Sequence, residues 1–464
     1  MADTDAKFTT GSLMGHVTAM SFTASIGLMA IFAVDLVDMV FISMLGNVAL
    51  AAAIGYAGSI LFFTNSINIG LSIAAGALVS RAIGRGDTRA AREFATSVAV
   101  YAALTGLLFP VVLFIYLQPI LGLIGAEGEA AALATTYLTI LLPTMSLMGL
   151  AMGAMAVLRA YGDAKRSMYS TLFGGITNAV LDPIFIFALG MGLSGAAIAS
   201  VIARLVTLYF AMAPAIRHHA AYARPRPGFV LSHGRDVTSL AAPAVLANVA
   251  TPVGSAFVTR EMAKYGTDAV AGMAIIGRLI PVSFSVVFAL SGAIGPILGQ
   301  NFGAGRHDRV RTGYLAGLKF ALVYVVVVAV ILFALRNLLV DFFDASGLTA
   351  SLLLLFCGPL ALAYIFNGGI FVSNAAFNNL GHPAYSAGIN WANCTLGTFP
   401  FVLAGSALFG AYGVLIGQAI GTTIFCIVAV WLALRVIENP PDAPKTRAFQ
   451  PHRRLHTLYT QRGH

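Results

Sequence analysis

Twelve long apolar stretches constrain the fold of this chain more than any other feature of its sequence. A helix needs about 20 apolar residues to cross the hydrocarbon core of a bilayer, and these stretches reach that length. The chain is 58% hydrophobic and only 10% charged, whereas soluble domains carry about 25% charged residues. The apolar residues run continuously instead of alternating, which excludes a transmembrane β-barrel in practice. The sequence therefore predicts an all-α polytopic membrane protein.

Polar loops between the stretches give approximate boundaries for twelve transmembrane helices. The predicted spans cover residues 16–44, 52–79, 94–117, 130–157, 168–188, 193–215, 238–262, 269–298, 314–336, 350–376, 385–407 and 412–436. A linker rich in Arg, Pro and His divides them into two sets of six. We predict an N-terminal lobe, a cytoplasmic linker, a C-terminal lobe and a basic cytoplasmic tail. These regions cover residues 1–215, 216–237, 238–436 and 437–464.

Most of the 27 lysines and arginines lie in alternate loops, while the intervening loops hold few. The basic loops are at residues 81–92, 159–166, 217–235 and 306–311, and the tail adds more. Cytoplasmic loops of membrane proteins carry such an excess of positive charge. We therefore expect a multi-pass protein of the cell inner (cytoplasmic) membrane with both termini in the cytoplasm. We expect the basic tail to meet solvent or lipid headgroups, not nucleic acid.

The two halves of the chain resemble each other at offsets of 218 to 220 residues. GNVALAA at 46–52 matches GTDAVAG at 266–272. Loop and helix glycines also match, in the pairs Gly84/Gly303, Gly162/Gly381 and Gly195/Gly413. Each repeat has six spans, an even number, so both copies share one orientation. We expect a pseudo-twofold axis along the membrane normal, and secondary transporters place their substrate sites at such repeat interfaces.

Three carboxylates interrupt the apolar stretches, namely Asp35 and Asp38 in the first span and Asp182 in the fifth. A charged side chain at the bilayer centre costs roughly 2.5–3.5 kcal/mol on insertion scales, so it is rare unless it faces a cavity or a partner. One interpretation is a structural carboxylate bonded to a neighbouring helix. Three acids in one chain favour the other, an ion or proton site. The second half has no mid-membrane carboxylate, so we expect ion chemistry in the first lobe alone.

The spacing of these acids suggests how such a site is built. Asp35 and Asp38 are three residues apart and share one helical face. Two carboxylates this close in a low dielectric do not both ionise readily, so we expect the pair to take up a proton. Asn178 lies four residues before Asp182, and Pro183 frees a backbone carbonyl one turn back. Together these groups can hold a proton or sodium, although a kinked helix with a satisfied polar face would use the same residues.

The sequence lacks the signatures of other energy sources and of catalysis. It contains no GxxxxGK[ST] phosphate loop, so we expect no direct use of ATP. It also lacks HExxH, G-x-S-x-G and clustered Cys or His ligands. We therefore expect neither an enzyme nor a bound cofactor or metal centre. Arg204 and Arg278 fall within predicted spans, where snorkelling or structural pairing explains either residue. Arg204 could also pair with a first-lobe acid.

Three segments resemble the multidrug and toxic compound extrusion (MATE) family. They are VDMVFISMLGNVALAAAIGYA, LRAYGDAKRSMYSTLFGGITNAVLDPIFIFALGMGLSGAAIASVIA and SGAIGPILGQNFGAGRHDRVR. The resemblance implies twelve helices in two lobes and export of organic cations or amphiphiles across the bilayer in exchange for H+ or Na+. We expect a monomer. The alternative transporter is a lipid-linked precursor flippase of the wider superfamily. A receptor, scaffold or intramembrane enzyme is an alternative from a different functional class.

The resemblance also assigns roles to individual residues. Asp38, Asn178 and Asp182 match ion-coupling positions of the prokaryotic DNA-damage-inducible subgroup, and sodium, if it is the coupling ion, would bind there. Ser200 stands where these relatives often carry threonine. We place Asp35 in the same ion-coupling set, as the neighbour of Asp38.

The substrate cavity is expected to include Tyr137, which matches an aromatic residue of the same lobe. Asn367 and Asn374 lie in the tenth span, where another branch of the family carries an acid. One position departs from the family pattern. Thr23 stands where relatives usually have a proline that bends the first helix, although its repeat mate is Pro243.

Overall fold

The computed structural model describes residues 6–44 and 48–439, and its regular secondary structure there is helical, with no strand. The first lobe contains α1 (Leu13–Met44), α2 (Val48–Gly84), α3 (Thr88–Ile115), α4 (Gly128–Ala160), α5 (Ala164–Ala188) and α6 (Gly192–Arg217). The second contains α7 (Gly234–Ala263), α8 (Thr267–Gly303), α9 (His307–Phe342), α10 (Gly347–Leu360 and Tyr364–Leu380), α11 (383–408) and α12 (411–438). Short helices at Leu117–Leu123 and Pro227–Ser232 lie in loops. Most of the predicted basic tail falls outside the described residues.

The twelve predicted spans are confirmed, with boundaries that differ by a few residues. Ten helices are long and apolar enough to cross a membrane, and the two parts of α10, bent by 59°, form an eleventh span. The longest of the ten, Pro383–Glu438, is divided by the non-helical backbone of Phe409 and Gly410, which gives α11 and α12. In the first lobe, α1 continues as one helix past Thr23.

The two lobes meet through the first two helices of each repeat. α1 packs against α8, and α2 packs against α7. Because α7 and α8 are the repeat mates of α1 and α2, each contact is the image of the other. This pairing is what a pseudo-twofold relation between the lobes requires.

A close crossing of α2 and α8 joins the lobes at the end of the bundle that carries the basic loops, here called the basic end. A Cβ atom on Gly84 would lie 2.1 Å from the carbonyl oxygen of Gln300. A Cβ atom on its repeat mate Gly303 would lie 2.1 Å from the carbonyl oxygen of Arg81. Only glycine allows two backbones to come this close. The glycines matched in the sequence therefore mark a contact between the lobes.

An N-terminal strap (residues 7–11) reinforces this contact. Phe8 is only 1% exposed. Its N–H donates to Oε1 of Gln300 in the second lobe at 2.9 Å, while Lys7 Nζ donates to the carbonyl of Gly162 in the first lobe at 3.2 Å. Among the residues that the structure describes, the hydrogen bonds between the lobes gather at this end. The basic end is therefore closed.

Candidate functional site

The acids of α1 lie opposite a stripe of exposed apolar side chains. Those side chains are Phe22, Ile26, Met29 and Leu36. At about 100° of helical rotation per residue, Asp35 and Asp38 are about 135° and 165° from the middle of that stripe. The stripe has the composition of a lipid-facing surface. Both carboxylates therefore point away from it.

Asn178 brings the first and fifth helices together through their acids. Its Nδ2 atom lies 3.4 Å from each carboxylate oxygen of Asp38 and also donates to Oδ2 of Asp182. Asn178 and Asp182 are buried, at 7% and 1% exposure. The second carboxylate oxygen of Asp182, Oδ1, has no hydrogen-bond partner among the described residues. A buried acceptor of this kind is stabilised by a proton or a small cation.

The backbone of α5 loosens directly beside this cluster. Pro183 lacks the N–H that would close the regular helical turn, and residues Ile184–Ala188 form a π-helix. The irregular turn follows Pro183, whereas the carbonyl that the missing N–H was predicted to free lies one turn before it. Turns of this type occur frequently at functional sites.

Two successive polar contacts join α4 and α6 on the adjoining side of the cluster. The hydroxyl of Tyr137 interacts with that of Ser200, and Tyr137 also lies within electrostatic reach of Asp38 and Asp182. One helical turn further on, Arg204 Nη1 donates to the carbonyl of Leu141 at 3.0 Å.

Arg204 also stabilises a break in α4. Residues Leu142–Thr144 form a 3-10 turn that contains Pro143, and Arg204 Nη1 donates to the Thr144 hydroxyl at 2.6 Å. Among the residues that the structure describes, Arg204 thus bonds to the break in α4 and forms no ion pair with a carboxylate, unlike the pairing considered from the sequence. Neither Thr144 nor this break was predicted from the sequence. Pro143 within a predicted span was the available signal.

The remaining predicted residues stand apart from the cluster. Asp35 is exposed, and its charged neighbour is Asp38. Asn367 and Asn374 are partly exposed and share one face of α10 with Phe371, which contacts Phe288 of α8. Neither amide bonds to the first-lobe acids in the part of the chain that the structure describes. In the same residues no group of three or more His, Cys, Asp or Glu is arranged to hold a metal ion.

Comparison with known proteins gives a consistent family. The MatE family profile matches residues 23–184 and 243–403, once in each lobe. The chain is 29% identical over 427 residues to a protein of Shewanella oneidensis described as an FAD transporter, covering 90% of this chain and 94% of that one. It is 25% identical to the probable multidrug resistance protein YpnP of Bacillus subtilis, over 92% and 96% of the two chains. The bent form of the Vibrio cholerae MATE transporter VcmN superposes with a TM-score of 0.85 at 26% identity, over 92% and 97% of the chains.

Proposed function

Because the chain belongs to the MatE family, a family of membrane transporters and not of enzymes, we propose that it is a secondary active antiporter. It exports organic cations or amphiphilic compounds in exchange for H+ or Na+. The observation that carries this proposal is the Asn178 amide shared by Asp38 and Asp182, next to an unsatisfied buried oxygen of Asp182. The DNA-damage-inducible subgroup, which couples through these positions, remains our prediction for the branch of the family.

Ion and substrate compete in this mechanism. With both acids deprotonated and no cation bound, the cluster is negatively charged and attracts a cationic substrate. Uptake of a proton, or of sodium at Asp38, Asn178 and Asp182, removes that attraction and releases the substrate. Rocking of the two lobes then exposes the site to the other side of the membrane. We place the basic end in the cytoplasm by the positive-inside rule, so its closure leaves this site to be reached from the outer side.

The proposal is tested by dye efflux from vesicles under an imposed pH gradient, with and without sodium. Asp38→Asn and Asp182→Asn preserve size and polarity but cannot exchange a charge, so we expect efflux to fall to the level of empty vesicles. Asp308→Asn, an acid at the exposed start of α9, is the matched control and should transport normally. Normal efflux by well-expressed Asp38→Asn and Asp182→Asn proteins would contradict the coupling role.

Export of a flavin nucleotide is a second candidate. It is favoured by the 29% identity to the Shewanella oneidensis FAD transporter, which covers 94% of that protein. FAD is fluorescent, so the nucleotide released by cells with and without the chain can be measured directly. Release of FAD without dye efflux would support nucleotide export as the function in place of drug export. Transport of a lipid-linked precursor, detected in vesicles when neither compound moves, would instead favour the flippase alternative.

A further inference from the structure

A groove lies on the seam between the two lobes at the basic end. It has a volume of about 490 Å3 and runs between the start of α1 and the first turns of α9. Its lining contains two cations, two hydroxyl groups and an apolar wall. The lining residues are Gly11, Ser12, Leu13, Met14, Arg309, Thr312, Leu315, Ala316 and Lys319. A single occupant of this groove would contact both lobes at once.

Lys319 is the unusual residue of the groove. It follows the start of α9 by twelve residues, or about 18 Å of helix, and is surrounded in sequence by apolar residues. Its side chain is exposed, and no hydrogen bond or ion pair joins it to another residue that the structure describes. A cation at membrane depth is costly unless it reaches a polar group. Helical side chains lean toward the helix N-terminus, which for α9 is the basic end, so the ammonium reaches toward the mouth of the groove.

The rest of the lining matches an amphiphilic anion. Arg309 already donates to the carbonyls of Phe8, Thr10 and Gly11, and it adds positive charge at the mouth of the groove. No carboxylate is among the lining residues. Leu315 is 42% exposed and offers an apolar surface directed at the lipid. A free anion such as inorganic phosphate would leave this surface uncovered.

We propose that the groove binds an anionic phospholipid, with its phosphate on Lys319, an acyl chain against Leu315 and the positive charge of Arg309 further toward the mouth. Basic pockets between membrane helices at the cytoplasmic surface bind such headgroups in other proteins. A lipid bound there bridges α1 and α9 and stabilises the closed basic end. Anionic lipid would therefore bias the protein toward the state in which the cluster of acids is reached from the opposite side.

The test compares lipid retention by the full-length protein in nanodiscs that contain phosphatidylglycerol and phosphatidylcholine. Native mass spectrometry counts the lipids that remain bound after release from the nanodisc. We expect the wild-type protein to retain phosphatidylglycerol in preference, and Lys319→Gln to lower that retention about fivefold, the effect of one basic residue at a charged membrane surface. Lys319→Arg keeps the charge and should restore retention. Phosphatidylcholine should be unaffected by all these changes.

Lys165→Gln is the matched control, because it removes the same charge from an exposed residue of α5 at the basic end. Equal loss of phosphatidylglycerol with Lys165→Gln and Lys319→Gln would show a general effect of surface charge and overturn the proposal. Unchanged retention with Lys319→Gln would also overturn it. These readouts measure binding and not transport, so they are independent of the proposed antiport.

A second measurement tests the link to conformation. Spin labels at Arg89→Cys and His307→Cys report the distance across the basic end, since both sites are exposed and belong to different lobes. Phosphatidylglycerol should enlarge the short-distance population of the wild-type protein relative to phosphatidylcholine. Lys319→Gln should abolish this difference. If the wild-type protein gave the same distance distribution in phosphatidylglycerol and in phosphatidylcholine, the conformational role would be refuted.

Discussion

Gly84→Ala is expected to open the basic end of the protein. The added Cβ would lie 2.1 Å from the carbonyl oxygen of Gln300, and the next two contacts, at 2.8 and 2.9 Å, are also to the backbone of that residue. Real Cβ atoms essentially never come closer than 3.0 Å to such an atom, so the two helices must separate by at least 0.9 Å. The backbone cannot rotate away as a flexible side chain could. The strain therefore falls on the contact between the lobes.

The expected size of the effect follows from two opposing terms. Inserting a methyl group into a well-packed contact costs about 1–3 kcal/mol. Replacing glycine by alanine within a helix stabilises that helix by about 0.5–1 kcal/mol, and it does so whether the basic end is open or closed. The helix gain therefore cancels between the two states, and the closed state loses the packing term alone. A loss of about 1–3 kcal/mol changes the ratio of closed to open molecules by a factor of about 5–150.

The labels at Arg89→Cys and His307→Cys measure this ratio directly. The three native cysteines of the chain are buried, which limits labelling elsewhere. Gly76→Ala is the control, because it adds the same methyl group to α2 at a position where the nearest atom would be 3.9 Å away. We expect Gly84→Ala to enlarge the long-distance population and Gly76→Ala to leave it unchanged.

Two results would refute this reasoning. If Gly84→Ala left the distance distribution at its wild-type value, the α2–α8 crossing would not hold the basic end closed. If Gly76→Ala shifted the distribution equally, the effect would come from helix propensity and not from the contact with Gln300. The repeat mate offers an independent check, since Gly303→Ala meets the carbonyl of Arg81 at the same distance and should act in the same direction.

Three further changes test other parts of the structure. Phe8→Ala should reduce stability by about 3 kcal/mol, as measured by thermal unfolding, because the ring is almost fully buried. It should also lengthen the distance between the spin labels across the basic end. Arg204→Gln should cost about 1–3 kcal/mol by removing the donor of two hydrogen bonds at the break in α4, to the Thr144 hydroxyl and to the carbonyl of Leu141. It should also weaken dye binding, whereas Arg204→Lys should recover part of both losses. Burial would raise the pKa of Asp163, but hydrogen bonds from His219 and from the neighbouring arginine lower it to about 2 from 3.8. Because the pKa is lowered in the folded state, the ionised carboxylate stabilises the fold fully at a pH above 3.8, and this stabilisation is lost as the pH falls through 2. Asp163→Asn should therefore reduce the free energy of unfolding by about 2 kcal/mol at neutral pH and by progressively less in that acid range. Thermal unfolding measured across this pH range checks the prediction.

The fold was predictable because each of its determinants is local in the sequence. Apolar length defines the spans, and the alternation of basic loops separates the two ends of the bundle. Even the break between α11 and α12 lies in the predicted gap, at Gly410, whose φ of +59° suits glycine. The repeat was visible in its glycines, but their function was not. The contact of Gly84 with Gln300 joins residues more than 200 positions apart, which periodicity along one helix does not report.

The candidate site was predictable only in part, for the same physical reason. Asn178 and Asp182 are one turn apart on one helix, so their shared face follows from the spacing. The strongest partners of Asp38, however, are these two residues of α5 and not its neighbour Asp35. Likewise, the bond from Arg204 to Thr144 depends on how α4 and α6 pack. Spacing identifies the groups that share a helix, while packing decides which helices meet.

In the proposed mechanism the two lobes have unequal roles in transport. The crossing at the basic end is symmetric, because Gly84 with Gln300 and Gly303 with Arg81 are images of one another under the repeat. The carboxylate cluster has no such image, since α7 and α11 carry no acid in place of Asp38 and Asp182. In the proposed antiport mechanism, the symmetric crossing would let the lobes rock about one contact, and the ion would act on that motion at the acid cluster of the first lobe alone. Coupling in this protein should therefore respond to changes in the first lobe, whereas changes at the crossing should alter the closed population from either side.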